Sequence, residues 1–215
     1  MEREALVDLL KQKLELNDYV DLVLKDKTIL PLLLEIIETD KTAIKFLCEK
    51  IIRKISEEHP EILYAFFERM AMLFDSENNF IRWGFMKTIT NLIRVDEENK
   101  WTTIHEHYFS FLDSTSIVVF GNAVSGVSKI LRKYPQYEKE ILPKLLNIDQ
   151  HTFLYQGEVS PECTNVAKGQ IMDCFSEIYG TSQYKNEIRA FVLANIDNPR
   201  KKVGNIAKRL LREME

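Results

Sequence analysis

The chain is poor in the residues that punctuate and staple small β-proteins. Seven Gly and six Pro in 215 residues are too few for the turns of an all-β chain, and lean the composition towards helices. The three cysteines, Cys48, Cys163 and Cys174, have no CxxC spacing. An odd count without that spacing argues against a disulfide framework or a structural zinc site, so a reducing compartment, the cytoplasm, is the expected setting. Long hydrophobic runs are also missing. The longest, ILPLLLEII, is nine residues with a Pro inside it, too short to span a bilayer, and no membrane partner is expected. The N-terminal stretch MEREALVDLLKQKLEL is charged and amphipathic and lacks the apolar centre of a signal peptide. Nor does one sign of charge dominate. Charged residues make up 29% but the net charge is -4, so bulk charge does not make this a polyanion binder.

What the chain has instead is a repeat. With 45% hydrophobic residues it can bury a sizeable core. Four stretches align: IRWGFMKTITNLI, VVFGNAVSGVSKIL, VAKGQIMDCFSEIY and KKVGNIAKRLLREM. Their glycines are Gly84, Gly121, Gly169 and Gly204. Two residues later stand Met86, Ala123, Ile171 and Ile206; six later, Thr90, Val127, Phe175 and Leu210. Nine later stand Ile93, Ile130 and Ile178, with Glu213 breaking the rule. These offsets fall on one face of a 3.6-residue helix. A looser copy, AIKFLCEKIIRKI, has Lys45 at the glycine position, followed by Leu47, Ile51 and Ile55. Each helix is preceded by an amphipathic segment ending at an aspartate: Asp40, Asp75, Asp113, Asp149 and Asp197. Asp caps helices and forms turns because its carboxylate accepts nearby backbone N–H bonds. The unit is therefore a first helix, an Asp turn and a second helix. Markers at 45, 84, 121, 169 and 204 are spaced by 39, 37, 48 and 35 residues, the period of an α-solenoid.

The glycine lies on a second, small-residue face of each repeat helix. In a helix interior it is about 0.8–1 kcal/mol less favourable than Ala. Its recurrence predicts a packing role, in which a missing side chain lets a neighbouring helix approach closely.

With Asp75 in the turn and Ile81-Arg82 opening the second helix, LFDSENNFIRWGFMKTITNLI resembles the HEAT repeat of the armadillo-like superfamily, and the general character is that of prokaryotic HEAT-repeat proteins. The resemblance covers about residues 28–215. The basic residue that follows the turn is present as Arg82 and Lys202, while Val119 and Ala167 replace it in other units. The resemblance implies an all-α, right-handed α-α superhelix of about five helix pairs behind N-terminal helices. The expected division is a cap at about 1–27 and repeats at about 28–59, 60–97, 98–134, 135–181 and 182–215. It also implies a non-catalytic scaffold or adaptor that binds a protein or peptide through the solenoid surface. A second function compatible with it is that of a HEAT-like alkylpurine DNA glycosylase relative or another DNA-binding HEAT protein.

Two stretches stand out as candidate binding sites. The 48-residue spacing holds about eleven extra residues around DQHTFLYQGEVSP. Insertions in repeat proteins often lie on the binding face, so His151, Phe153, Tyr155 and Gln156 are the candidate partner-binding residues. Folding back of Phe153 and Tyr155 over the solenoid edge is the structural alternative. Ser160 as N-cap with Pro161 in the first turn is expected to start the next helix. The second stretch, NPRKKVGNIAKRLLREME, is basic, and Lys201, Lys202, Lys208 and Arg209 are candidates for weak nucleic-acid contact. Such charge also suits the polar outer face and helix dipole of a last repeat.

No chemistry-bearing motif accompanies these. His105 and His107 are two apart, about 200° around a helix, and form no metal pair. GxSxG, a phosphate-binding glycine loop and a Cys–His pair in a recognisable catalytic context are absent from the sequence. No catalytic residue, cofactor or metal is expected. Trp83, just ahead of Gly84, is expected in the core, and Trp101 partly exposed.

Overall fold

A computed structural model describes residues 1–214. The chain divides into two compact units, Met1–Ile104 and His105–Glu215.

The first unit opens with α1 (Arg3–Leu10) and α2 (Leu16–Lys25), followed by α3 (Ile29–Thr39) and α4 (Ile44–Glu58). A broken segment leads to α5 (Phe67–Ala71) and then to α6 (Asn79–Leu92). Leu33, Leu34 and Ile36 of α3 and Ile51, Ile52 and Ile55 of α4 are buried, and α4 packs against both α3 and α6. Residues 60–75 are not one regular helix. Pro60 starts a short 3₁₀ turn, a second follows at Tyr64–Phe66, and a third ends at Asp75 on either side of the one-turn α5. Proline removes a backbone donor and fixes the entry.

The second unit contains α7 (His105–Ser110), α8 (Ile117–Lys133), α9 (Glu138–Leu146), α10 (Pro161–Ile178), α11 (Lys185–Leu193) and α12 (Lys201–Glu213). Here α10 packs between α8 and α12, and α11 lies on α12. Phe120, Val127, Ile171, Phe175 and Leu210 fill the interior. The insertion is a small antiparallel hairpin, β1 (Leu154–Tyr155) and β2 (Glu158–Val159), with Leu154 opposite Val159 and Tyr155 opposite Glu158. Gln156 and Gly157 both have positive φ, 53° and 85°, as a two-residue hairpin loop of the tight mirror-image type requires.

The aspartates at the turns are not N-caps, as first expected. Asp40 follows the end of α3 and its Oδ1 accepts the backbone N–H of Thr42 at 2.6 Å. Asp113 and Asp149 instead pair with Lys144 at 2.6 Å and Lys168 at 2.7 Å. Capping falls to residues further on. Asn78 Oδ1 accepts the N–H groups of Phe80 and Ile81, and Ser160 Oγ accepts that of Cys163, with Pro161 in the first turn. The expected start of α10 is therefore the observed one.

Candidate functional site

The hairpin splits its aromatic residues between two environments. Phe153 stands at its base, 1% exposed, with its ring 5.1 Å from Phe120 of α8 and edge-on to it. His151 lies beside it, with ring centroids 4.4 Å apart, and its Nε2 is 2.9 Å from the carbonyl oxygen of Ser114. The backbone N–H of Leu154 donates to Thr115 O at 2.9 Å, and that of Ser160 to Phe153 O at 2.9 Å. These contacts tie the hairpin to the start of α8. Beyond the base, Tyr155 is 62% exposed and Val159 69%. Of the four residues expected to face a partner, Tyr155 and Gln156 reach solvent. Phe153 is a correction: its ring is spent on covering Phe120, because the chain passes over α8 before it turns outward. His151, half-buried, holds the same base.

A groove runs between α8 and α10. A Cβ at Gly121 would overlap the amide of Gln170, which lies across the glycine. Beside it is a cavity of about 250 Å³ walled by Val124, Ser125, Ser128, Asp173 and Glu177. Ser128 Oγ donates to Glu177 Oε2 at 2.8 Å. Asp173 is 3.5 Å from Arg209, and Glu177 is 4.0 Å from Arg132. Gln170 Oε1 is buried without a hydrogen-bond partner. Cys174 also lines the cavity, but burial pushes its thiol up to about 12, far from the thiolate form that nucleophilic chemistry needs. The groove is thus a set of hydroxyl and carboxylate acceptors on a rigid pair of helices. Sequence inspection missed it because Gln170 and Gly121 are far apart in the chain. The small polar residues of α8, exposed Ser125 and buried Ser128, were its available signal.

The same seam in the first unit has a charged lid. A Cβ at Gly84 would overlap the Glu49 side chain. Glu49 is only 7% exposed and accepts from Arg53 Nε at 2.8 Å. Burial lifts its carboxyl above the ordinary glutamate range, against the lowering pull of Arg53, Lys50 and Lys87. The glycines therefore do not share one partner: Gly84 and Gly121 receive polar side chains, Gly204 approaches the carbonyl oxygen of Ile196, and Gly169 meets Val203 at ordinary van der Waals range.

The basic candidates lie on α12. Lys201, Lys202, Lys208 and Arg209 are exposed, but Arg209 is engaged by Asp173 and Glu213. Lys201 and Lys208 share one line of the helix with Arg212, while Lys202 points about 100° away. Trp101, expected to be partly exposed, is 0% exposed; its backbone N–H donates to Asp96 Oδ2 at 2.9 Å. Trp83, expected in the core, is half-buried. His105 stacks near Tyr137 at 4.7 Å and His107 near Phe111 at 5.2 Å. Among the described residues no group of three or more His, Cys, Asp or Glu side chains is placed to hold a metal ion, and no helix is long and apolar enough to cross a membrane.

Similarity to known proteins lies in the fold. Neither a protein-family model nor a curated protein sequence matches the chain. Solved structures do, two designed repeat proteins among them. The designed armadillo repeat protein YIII(Dq)4CqI is similar with a TM-score of 0.58 and 14% identity, over 93% of this chain and 87% of that one. The designed armadillo repeat protein YIII(Dq.V1)4CPAF, solved in complex with the peptide (KR)4, is similar with a TM-score of 0.60 and 14% identity over the same shares. The chain thus has an armadillo-like, all-α solenoid fold built from helix pairs.

Proposed function

We propose that this protein is a non-catalytic scaffold that binds an extended segment of a partner protein. The observation that carries this reading is the α8–α10 groove, where Ser125, Ser128, Asp173 and Glu177 wall a cavity on two packed helices. An extended peptide presents unpaired backbone N–H groups at regular intervals, and hydroxyl and carboxylate acceptors on rigid elements suit them. A structure of similar fold is bound to a peptide, which supports the reading. Tyr155 and Gln156, displayed by the hairpin, are proposed as a second contact, with His151 and Phe153 holding it in place. The helix pairs expected at 28–59, 60–97, 98–134, 135–181 and 182–215 are proposed as the scaffold's repeats.

Selection of random 12-residue peptides on the immobilised protein tests this. Enriched peptides should lose binding to Ser125→Lys and Glu177→Lys variants, both at exposed positions of the groove, that keep the parental melting temperature. Enrichment indifferent to both substitutions rejects the groove. Release of a base from alkylated DNA would overturn the non-catalytic assignment.

A second reading rests on the line formed by Lys201, Lys208 and Arg212. Weak nucleic-acid binding there should fall with salt at a log–log slope of roughly -2 to -3, the value for about three neutralised phosphates. Binding that persists at about 200 mM salt contradicts so small a footprint.

A further inference from the structure

We infer that the α4–α6 face of the first unit is a docking shelf for a partner segment that pairs a bulky apolar side chain with carboxylates. The shelf is separate from the α8–α10 groove and does not depend on it. Phe80 is 68% exposed, an unusual position for a large aromatic ring. It does not stand alone. Phe46 of α4 meets it edge-on at 6.1 Å, and Trp83 of α6 at 5.5 Å. Both neighbours are half-buried, so three rings form one stepped apolar floor across two helices.

Charge marks one end of this floor. Lys50 stands one turn after Phe46 on α4, and Lys87 one turn after Trp83 on α6. Residues four apart share a helix face, so each helix presents an aromatic ring and then an exposed lysine. Both lysines act electrostatically on the buried Glu49 carboxyl, which places them at the same seam. That carboxylate is itself held by Arg53, so the seam has a cationic excess. Neither lysine makes an ion pair among the described residues.

These features select the occupant. Exposed aromatic faces attract cations, but Lys45 already sits 5.5 Å from the Phe46 ring centroid, and Lys50 and Lys87 repel another positive charge. A segment with an aliphatic or aromatic side chain over Phe80 and Trp83, and acidic groups about 6 Å further along, the rise of four helical residues, satisfies both the floor and the lysines. A membrane surface fits less well, because interfacial binding needs a broad apolar face and only one ring here is mainly exposed.

Tryptophan fluorescence of the full chain gives a direct readout. Trp101 is fully buried, so a ligand-induced change in emission reports Trp83. The probes are acetyl-Leu-Phe-Glu-Glu-amide, acetyl-Leu-Phe-Lys-Lys-amide and phosphatidylserine vesicles. The acidic peptide should give a saturable change and bind about tenfold more tightly than the lysine peptide. Phe80→Ala should weaken it by about tenfold, and the Lys50→Glu, Lys87→Glu double variant should reverse the preference, with melting temperatures unchanged. The same titrations on Glu177→Lys should match the parent, separating this shelf from the groove. Equal affinity for the two peptides, no loss in Phe80→Ala, absence of saturable binding, or a response to vesicles without one to the acidic peptide would each overturn the inference.

Discussion

The α4–α6 seam of the first unit and the α8–α10 seam of the second use the same device with different chemistry. Each has a glycine at the same repeat position and a long polar side chain laid across it. In the first unit the side chain is Glu49, buried and paired with Arg53; in the second it is Gln170, a neutral amide. A buried carboxylate is expensive to rearrange once its cation partner is fixed, whereas an amide beside an open cavity has room to turn. The repeat thus conserves a space between helices while leaving the contents of that space to vary. A closed, charged seam favours rigidity, and a neutral one bordering a cavity favours access.

Removing what only the second unit possesses should have the largest effect. Phe153→Ala deletes a fully buried ring and is expected to destabilise by about 3–5 kcal/mol, measured by urea unfolding followed by far-UV circular dichroism. Tyr155→Ala at the exposed tip should change stability by no more than about 0.5 kcal/mol. Equal losses for the two would mean that the hairpin is packed at both base and tip.

The seams themselves come next. Gly84→Ala must displace the ion-paired Glu49 and should destabilise by roughly 1–3 kcal/mol, in the range of overpacked cores. Adding Glu49→Ala should recover part of that loss, because the methyl group then occupies the space Glu49 leaves. Gly121→Ala should cost less than Gly84→Ala, since Gln170 can swing towards the cavity. If the two single variants lose the same stability, the charged and neutral lids are energetically equivalent and the comparison fails. Gly169→Ala, with only Val203 and Ile206 within reach, should instead stabilise by about 0.5–1 kcal/mol through helix propensity.

The smallest effect is a slope. Glu49 has a folded-state pKa raised above the ordinary value of 4.5, so folding favours its protonated form. That contribution is fully present below the unfolded value and is lost as pH rises through the folded one. Glu49→Gln, which stays neutral, should therefore gain stability relative to the parent as pH is raised from about 4 towards 7. Gln170→Ala should show no such pH dependence. Parallel pH profiles for parent and Glu49→Gln would show that Glu49 is not perturbed.

The sequence was most legible where local chemistry decides structure. The helix-pair period, the buried Ile51, Ile93, Val127 and Phe175, and the Ser160-Pro161 start of α10 all follow from side-chain spacing or from a side chain bonding its own backbone. What lay across each glycine was not legible, because Glu49 and Gln170 reach their glycines from other repeats. Trp101 was misjudged for a similar reason: its burial depends on the turn around Asp96, whose carboxylate accepts the N–H groups of Lys100 and Trp101. The hairpin left a signal that went unused, a Gln-Gly pair flanked by Leu154-Tyr155 and Glu158-Val159. The aromatic shelf is the clearest omission. Phe46, Phe80 and Trp83 meet only when two repeats pack, although Phe80 could be seen to fall away from the buried stripe of α6.

The hairpin also bears on how the chain finds its order during folding. Similar repeats can pair with the wrong neighbour or exchange between molecules, a recurrent failure of repeat proteins. Phe153 against Phe120 and Leu154 against Thr115 give the α8–α10 junction an address that no other junction among the described residues carries. An aperiodic insertion in an otherwise periodic chain thus acts as an index mark, penalising mispaired intermediates of the second unit in which another helix takes the place of α8 beside α10.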